Sequence, residues 1–213
     1  MNYNSGNLMN IEEKSKQQFK EKGYCIVKNT LSKEICRFLS HSLLRQHHDN
    51  VISNNPSGDS QVLNALSVSS DIYTDTVLEM LWPLAEKVVG DLLIPTYSYS
   101  RLYCNGSVLE PHTDRESCEV SMTIQLSRSH DYSWPIYVDD NVNYLDEGDA
   151  AVYLGCDKKH WRKECSGPAN YYSGQIFIHF VKANGHFKHF AGDGRWRYDI
   201  PFTRNRVSWY DNK

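Results

Sequence analysis

Residues 108–126 read VLEPHTDRESCEVSMTIQL, and the second half of this stretch decides the fold. Between 120 and 126 the even-numbered positions are apolar, whereas the odd-numbered positions carry Ser, Thr or Gln. A period of two predicts a β-strand with one apolar and one polar face, and residues 175–181 alternate in a similar way. Two interpretations of the polar face are equally open: a solvated outer surface, or a polar cavity between two sheets.

Short strands of this kind fill the chain from residue 94 onward, separated by Gly, Pro, Asn and Asp. The predicted strands are 97–103, 108–114, 120–126, 136–138, 150–154, 160–162 and 175–181. Many short strands with closely spaced turns are typical of a β-sandwich or jelly roll.

The first part of the chain has helical periodicity instead. Predicted helices cover 11–22, a segment that follows the capping residue Ser32, and 75–93, with one short strand at 24–28. Pro83 should fall in the first turns of the third helix or kink it. Helices first and strands second predict an α+β protein in which N-terminal helices brace a jelly roll.

The length of 213 residues fits a single domain, 1–213, with a helical support region at 1–93 and a jelly-roll core at 94–206. A net charge of −3 gives no reason to expect a nucleic-acid partner. No apolar run approaches membrane-spanning length, and the polar start has no signal-peptide pattern. Six cysteines without a C-x-x-C pair indicate reduced thiols, which predicts a cytoplasmic location.

The motif His112-Thr113-Asp114 carries the candidate chemistry. Residues i and i+2 of a strand point to the same side, so the imidazole and the carboxylate can bind one ion. His160, several strands later, is the candidate third ligand. Two histidines and one carboxylate leave open positions on an octahedral Fe(II), which is why this ligand set is typical of oxygenases. A second H-x-D, His47-His48-Asp49, lies at a polar helix end, and we predict it to be surface.

Three segments resemble 2-oxoglutarate oxygenases of the prolyl-hydroxylase type. They are 103–115 (YCNGSVLEPHTDR), with a tyrosine ahead of H-x-D; 147–153 (EGDAAVY), a turn and strand; and 155–162 (GCDKKHWR), with the distal histidine. The similarity covers roughly residues 95–182. It implies a double-stranded β-helix, Fe(II) held by His112, Asp114 and His160, and 2-oxoglutarate as co-substrate.

The same resemblance implies a reaction. O2 and 2-oxoglutarate would be consumed, a C–H bond hydroxylated, and succinate and CO2 released, with ascorbate as a possible supporting reductant. The substrate would be a prolyl or other peptide, or a small metabolite.

The resemblance leaves the anchor of the 2-oxoglutarate C5 carboxylate to be found. The family usually has Arg or Lys about ten residues after the distal histidine, but residues 169–175 (ANYYSGQ) contain no basic residue. Arg162 is the natural substitute, because it shares a strand face with His160 and its planar guanidinium can bind a carboxylate through two hydrogen bonds. Tyr103, Gln175 and His179 are secondary candidates for contacts to the co-substrate.

Three further charged residues lie close to the motif in sequence. Arg115 should lean outward to the rim, Glu119 should have a structural pairing role, and the role of Arg101 is open.

Two other classes of protein stay possible at this point. A cupin-like metalloenzyme that does not use 2-oxoglutarate would keep the three metal ligands but would not need Arg162. A non-catalytic binding module would need none of these residues.

Overall fold

The computed structural model describes residues 5–52 and 60–195. Three helices lie in the first part of the chain: α1 (Ser5–Lys22), α2 (Lys33–Ile52) and α3 (Ile72–Val89). The predicted cap of α2 is confirmed, since the Ser32 hydroxyl accepts a hydrogen bond from the Ile35 amide at 3.3 Å. Most of the predicted loop at 54–60, and the chain beyond residue 195, lie outside the described residues.

The predicted bounds of the third helix are wrong at both ends. The Asp71 carboxylate accepts hydrogen bonds from the amides of Tyr73 and Thr74, so α3 begins at Ile72 rather than at residue 75. At the other end Gly90 adopts the left-handed conformation, with φ of 76°, and terminates the helix after Val89. Pro83 therefore lies in the middle of α3 and not in its first turns.

Ten strands form two antiparallel sheets. The strands are β1 (Tyr24–Val27), β2 (Leu66–Ser69), β3 (Leu93–Cys104), β4 (Leu109–His112), β5 (Val120–Arg128), β6 (Ile136–Val138), β7 (Asn141–Asn143), β8 (Ala150–Leu154), β9 (His160–Arg162) and β10 (Tyr172–Lys182). The larger sheet has the order β1-β8-β5-β10-β3-β2, and the smaller has the order β4-β9-β6-β7. All seven strands predicted after residue 94 are present, whereas β2 and β7 were not predicted.

Both faces of β5 are buried. The apolar face, which includes Met122 and Ile124, packs with side chains of the three helices in the main hydrophobic core. The polar face carries Ser121, Thr123 and Gln125, and these are also shielded from solvent. The polar side chains therefore point into the protein between the two sheets, and the interpretation as a solvated surface is wrong.

The strand register aligns the residues that the sequence singled out. On the larger sheet, His179 of β10 lies opposite Ser121 of β5, and Gln175 lies between Gln125 of β5 and Arg101 of β3. On the smaller sheet, His112 of β4 lies opposite His160 of β9. Residues that are far apart in sequence thus meet across strand pairs.

All six cysteines lie in the described part of the chain, and none of them is paired in a disulfide there. Within residues 5–52 and 60–195, no helix combines the length and the apolar character that crossing a bilayer requires.

Candidate active site

His112 and His160 both point their Nε2 atoms toward Asp114 Oδ1. Each ring is fixed by a backbone carbonyl: His112 Nδ1 lies 2.8 Å from the Glu110 oxygen, and His160 Nδ1 lies 2.9 Å from the Lys158 oxygen. A carbonyl oxygen can only accept, so both Nδ1 atoms carry the proton and both Nε2 atoms keep a lone pair. The ring centroids are 4.3 Å apart.

Asp114 completes the group with its Oδ1 atom. This oxygen lies 3.7 Å from His112 Nε2 and 3.4 Å from His160 Nε2. The ligand atoms of the three residues all fall within 4.8 Å of one another. The order and spacing of the H-x-D motif and the distal histidine therefore bring three metal-binding side chains together.

Gly155 allows the chain to hold Asp114 in this position. Its carbonyl accepts the Asp114 amide at 2.8 Å. A Cβ atom at residue 155 would lie 2.2 Å from the Cys118 carbonyl oxygen and 2.6 Å from Asp114 Oδ2. Only glycine fits here, because any side chain would push the carboxylate away from the histidines.

The surroundings of His112 and Asp114 shift the pKa of each group. Burial lowers the pKa of His112, and neighbouring His160 lowers it further. Burial raises the pKa of Asp114, whereas the hydrogen bond that Ser121 donates to Oδ2 lowers it. Neutral imidazoles and an ionised carboxylate are the forms that bind a divalent cation. The donor set, with each histidine oriented through its second nitrogen, fits Fe(II).

Arg162 lies two residues beyond His160 and is almost completely buried, with 1% of its surface exposed. Its guanidinium donates to the Trp134 carbonyl at 2.7 Å and to Gln175 Oε1 at 3.0 Å. Its Nε has no hydrogen-bond partner, and among the described residues no carboxylate lies within ion-pair distance. Burial lowers the pKa of this arginine. A buried cation without an anion is costly, and such a group is expected to bind an anionic ligand.

Gln175 holds the guanidinium in place. Its amide nitrogen donates to Gln125 Oε1 at 3.1 Å, and the Gln125 amide nitrogen donates in turn to the Ser127 carbonyl and the Ser173 hydroxyl. This series of hydrogen bonds fixes the orientation of the Gln175 amide, so that its oxygen points toward Arg162. In the stretch 169–175, where the sequence resemblance led us to expect a basic residue, this protein instead has a glutamine that supports an arginine on β9.

Tyr103 lies between two buried arginines. The Arg162 guanidinium carbon is 5.9 Å from its ring centroid, and that of Arg101 is 5.3 Å away. Arg101 donates to the Tyr103 hydroxyl at 2.9 Å and to Gln61 Oε1 at 2.9 Å. Gln61 Nε2 lies 2.9 Å from His112 Nε2, so a single glutamine side chain links Arg101 to the candidate metal site.

His179 lies beside Asp114, to which it is linked through the Ser121 hydroxyl on the side of Oδ2. Its Nδ1 is 2.9 Å from the Ser121 hydroxyl, and its ring packs on Tyr97 at 4.5 Å between centroids. Burial lowers the pKa of His179 to about 4. The structure thus gives this histidine a position beside the candidate metal-binding carboxylate, and its contact with the co-substrate stays a prediction.

Arg115 and Glu119 lie on either side of the short 3-10 turn at Glu116–Cys118. Arg115 leans outward, as predicted, and binds Asp193 through two hydrogen bonds of 3.0 and 2.7 Å. Glu119 is structural, but its carboxylate accepts the Lys182 backbone amide at 2.8 Å and forms no ion pair within the described residues. The competing motif at His47–Asp49 is exposed on α2, as predicted.

Ser121, Gly155, Gln61 and Trp134 were not identified as site residues from the sequence. Only Ser121 had a usable signal, its place on the polar face of a strand next to the motif.

Comparison with known proteins gives structural matches only. No protein-family model matches the sequence, and no curated protein matches it. A prolyl-4-hydroxylase from Pseudomonas putida superposes with a TM-score of 0.61 at 12% identity, over 80% of this chain and 98% of that one. A Trichoplax adhaerens prolyl hydroxylase, solved with a hypoxia inducible factor peptide fragment, gives 0.60 at 13% identity, over 84% and 94%.

HygX from Streptomyces hygroscopicus, solved with nickel and 2-oxoglutarate, is also similar, with a TM-score of 0.58 at 10% identity over 78% of this chain and 86% of that one. The chain therefore has the fold shared by 2-oxoglutarate-dependent oxygenases such as prolyl hydroxylases. The three sequence segments predicted this similarity, and the structural matches confirm it.

Proposed function

We propose that this protein is an Fe(II)- and 2-oxoglutarate-dependent dioxygenase that hydroxylates a C–H bond. One observation carries the proposal: two oriented histidines and a carboxylate converge beside a buried guanidinium that has no carboxylate partner among the described residues. In this proposal residues 1–213 form one domain, with a double-stranded β-helix at 94–206 and a support region at 1–93.

His112, Asp114 and His160 would hold the metal. Their ligand atoms converge without ion pairs to other described cations, so the charge of the carboxylate is available to a divalent ion. The backbone carbonyls on both Nδ1 atoms would keep the Nε2 lone pairs directed at it.

Arg162 would bind the C5 carboxylate of 2-oxoglutarate. It follows His160 by two residues on the same strand face, a separation of about 6.6 Å along the strand. A five-carbon oxo acid can span that distance, with one end at the metal and the other at the guanidinium. Gln175 orients Arg162, and the rings of Tyr103 and Trp134 cover it and exclude water.

Bound Fe(II) and 2-oxoglutarate would supply the oxidation: one atom of O2 enters the substrate C–H bond, and the other enters succinate, which leaves with CO2. The protein contributes orientation and a dry site. Tyr153 packs on the ring of His160, with 4.5 Å between ring centroids, and would help to hold this ligand in place.

Anaerobic titration tests this function directly. Addition of 2-oxoglutarate to the protein with Fe(II) should produce the charge-transfer absorbance of the chelate, and admission of air with ascorbate should release succinate. Iron binding without succinate would favour the cupin-like metalloenzyme, and absence of tight iron binding would favour a non-catalytic binding module.

The primary substrate would be a prolyl or other peptide, or a small metabolite. Both kinds are found on this fold, since the Trichoplax enzyme was solved with a peptide fragment and HygX with hygromycin B. Screening both libraries for products heavier by one oxygen atom would distinguish them. A cytoplasmic location and the absence of a nucleic-acid partner stay predictions.

A further inference from the structure

The two oxygen atoms of Asp114 have different surroundings. Oδ1 faces the Nε2 atoms of His112 and His160, whereas Oδ2 lies 2.8 Å from the Ser121 hydroxyl. A free carboxylate can bind a metal through one or both of its oxygens. The hydrogen bond from Ser121 to Oδ2 bears on which of these two binding modes Asp114 can adopt.

The direction of the hydrogen bonds around Ser121 follows from chemistry. An ionised carboxylate only accepts, so the single hydroxyl proton of Ser121 must be donated to Asp114 Oδ2. The Ser121 oxygen, 2.9 Å from His179 Nδ1, must then accept the proton of that nitrogen. The hydrogen bonds are therefore donated from His179 to Ser121 and from Ser121 to Asp114.

His179 is held firmly for this role. It lies opposite Ser121 in the register of β10 and β5. The pairing of β10 with β3 shifts between Ile178 and Phe180, and the extra residue lies on β3, at Thr96–Tyr97. The Tyr97 ring from this irregular stretch packs on the imidazole, with 4.5 Å between ring centroids.

We propose that His179 and Ser121 are positioning residues that hold Asp114 Oδ2 away from the metal, so that the carboxylate binds through Oδ1 alone. This inference rests on the proposed metal site. A carboxylate bound through one oxygen leaves three positions of an octahedral ion for 2-oxoglutarate and O2, whereas binding through both oxygens would leave two.

A rival arrangement uses some of the same atoms. The ligand atoms of Asp114, Cys118 and His179 also lie within 4.8 Å of one another. The Ser121 hydroxyl, however, already bonds both Oδ2 and His179 Nδ1, and Cys118 Sγ contacts the Tyr97 hydroxyl at 3.2 Å. Two of the three ligand atoms of this rival group are thus hydrogen-bonded through one hydroxyl, whereas in the group on the Oδ1 side only His112 Nε2 has such a bond among the described residues, from Gln61. The proposal therefore assigns the metal to the Oδ1 side.

Four variants test the pair: Ser121→Ala, His179→Leu, the double variant, and His179→Asn, whose amide nitrogen can replace Nδ1. Anaerobic competition against a chelator gives the affinity for Fe(II) and Co(II), and Co(II) absorbance reports the coordination. Ser121→Ala should weaken metal binding by roughly 10- to 100-fold, the usual effect of losing a group that orients a ligand, and should change the Co(II) spectrum. His179→Leu should change both in the same direction, and His179→Asn should stay close to wild type.

The double variant gives the decisive result. Because His179 acts through Ser121, the double variant should be no weaker than Ser121→Ala alone, whereas independent structural damage would add. Ser100→Ala is the matched control, since it removes a buried serine hydroxyl that bonds the Val68 carbonyl on β2, away from the three candidate ligands. Its metal affinity and spectrum should match wild type.

The outcomes separate this inference from the proposed function. Wild-type protein that binds no Fe(II) or Co(II) tightly would refute the metal site itself. Tight binding in wild type with unchanged affinity and spectrum in Ser121→Ala, or with additive losses in the double variant, would refute only the positioning pair. If Ser121→Ala does not fold, the contrast between His179→Leu and His179→Asn decides, and equal effects of these two would overturn the proposal.

Discussion

The two faces of β5 are equally hidden from solvent and differ in everything else. One face packs Val120, Met122 and Ile124 against the helices through contacts that have no preferred direction. On the other face, Ser121, Thr123 and Gln125 each form hydrogen bonds with specific partners. The same strand therefore belongs to the hydrophobic core on one side and to the candidate site on the other.

This difference separates stability from ligand binding. Apolar burial is the main source of folding free energy, and its loss is felt by the whole domain. A buried network of polar groups contributes less to stability but fixes the positions of its members, which binding requires. Substitutions on the helix-facing side should therefore lower stability, and those on the side facing the smaller sheet should lower ligand affinity.

The largest expected effect lies on the site side. His160→Ala removes one of three metal ligands, and Fe(II) affinity should fall roughly a thousandfold or more, about 4 kcal/mol. Anaerobic chelator competition measures this. His47→Ala, in the exposed H-x-D motif on α2, is the control and should leave the affinity unchanged. Equal iron affinity in His160→Ala and wild type would remove His160 from the site.

The core side should respond in the opposite way. Ile124→Ala leaves a cavity between β5 and the helices, and the free energy of unfolding should fall by about 2–5 kcal/mol. Denaturant unfolding of the metal-free protein measures this loss. Fe(II) affinity, measured well below the unfolding midpoint, should stay within about twofold of wild type. A large loss of iron affinity in the folded variant would show that the two faces are not separable.

The sequence was sufficient where one strand carries the whole signal. His112 is the last residue of β4 and Asp114 lies two residues further, just past the strand. His160 and Arg162 lie two residues apart within β9, and the alternation in β5 is local. Each of these follows from the geometry of an extended chain, without knowledge of its neighbours.

Features that depend on register or on caps were missed. Ser121 acquires its role only because β10 places His179 opposite it, and Gln61 approaches His112 from 51 residues away. The edge strands β2 and β7 have little pattern of their own, and their partners define them. The end of α3 was misplaced because apolar residues continue past Gly90 into β3, while the left-handed glycine ends the helix.

Arg162 provides a test of co-substrate binding at the candidate site, because it is buried yet carries a charge. Arg162→Ala should weaken 2-oxoglutarate binding by about a hundredfold, since charge-assisted hydrogen bonds contribute about 1.5–3 kcal/mol each. Iron affinity should stay near wild type, and Arg162→Lys should recover only part of the loss, since an ammonium lacks the planar fork. The charge-transfer absorbance in anaerobic titration measures the midpoint, and an unchanged midpoint in Arg162→Ala would refute the anchor.

The smallest expected effect concerns acid stability of the metal-free protein. Burial lowers the pKa of His179 to about 4 in the folded state, whereas an unfolded histidine titrates near 6.5. Between these values the unfolded chain binds the extra proton, so the free energy of unfolding falls as the pH falls. From pH 7.5 to 5 this group should remove about 2 kcal/mol.

His179→Asn keeps a hydrogen-bond donor toward Ser121 but cannot titrate, so its stability should decline less over the same range. Urea unfolding at a series of pH values, with chelator present, gives the difference between the two curves. The contribution of His112, whose pKa is also lowered, is common to both proteins and cancels. If the free energy of unfolding falls equally for wild type and His179→Asn from pH 7.5 to 5, His179 is not held neutral beside Asp114. A histidine that stays neutral in the folded state and is protonated in the unfolded state would make the wild-type curve steeper.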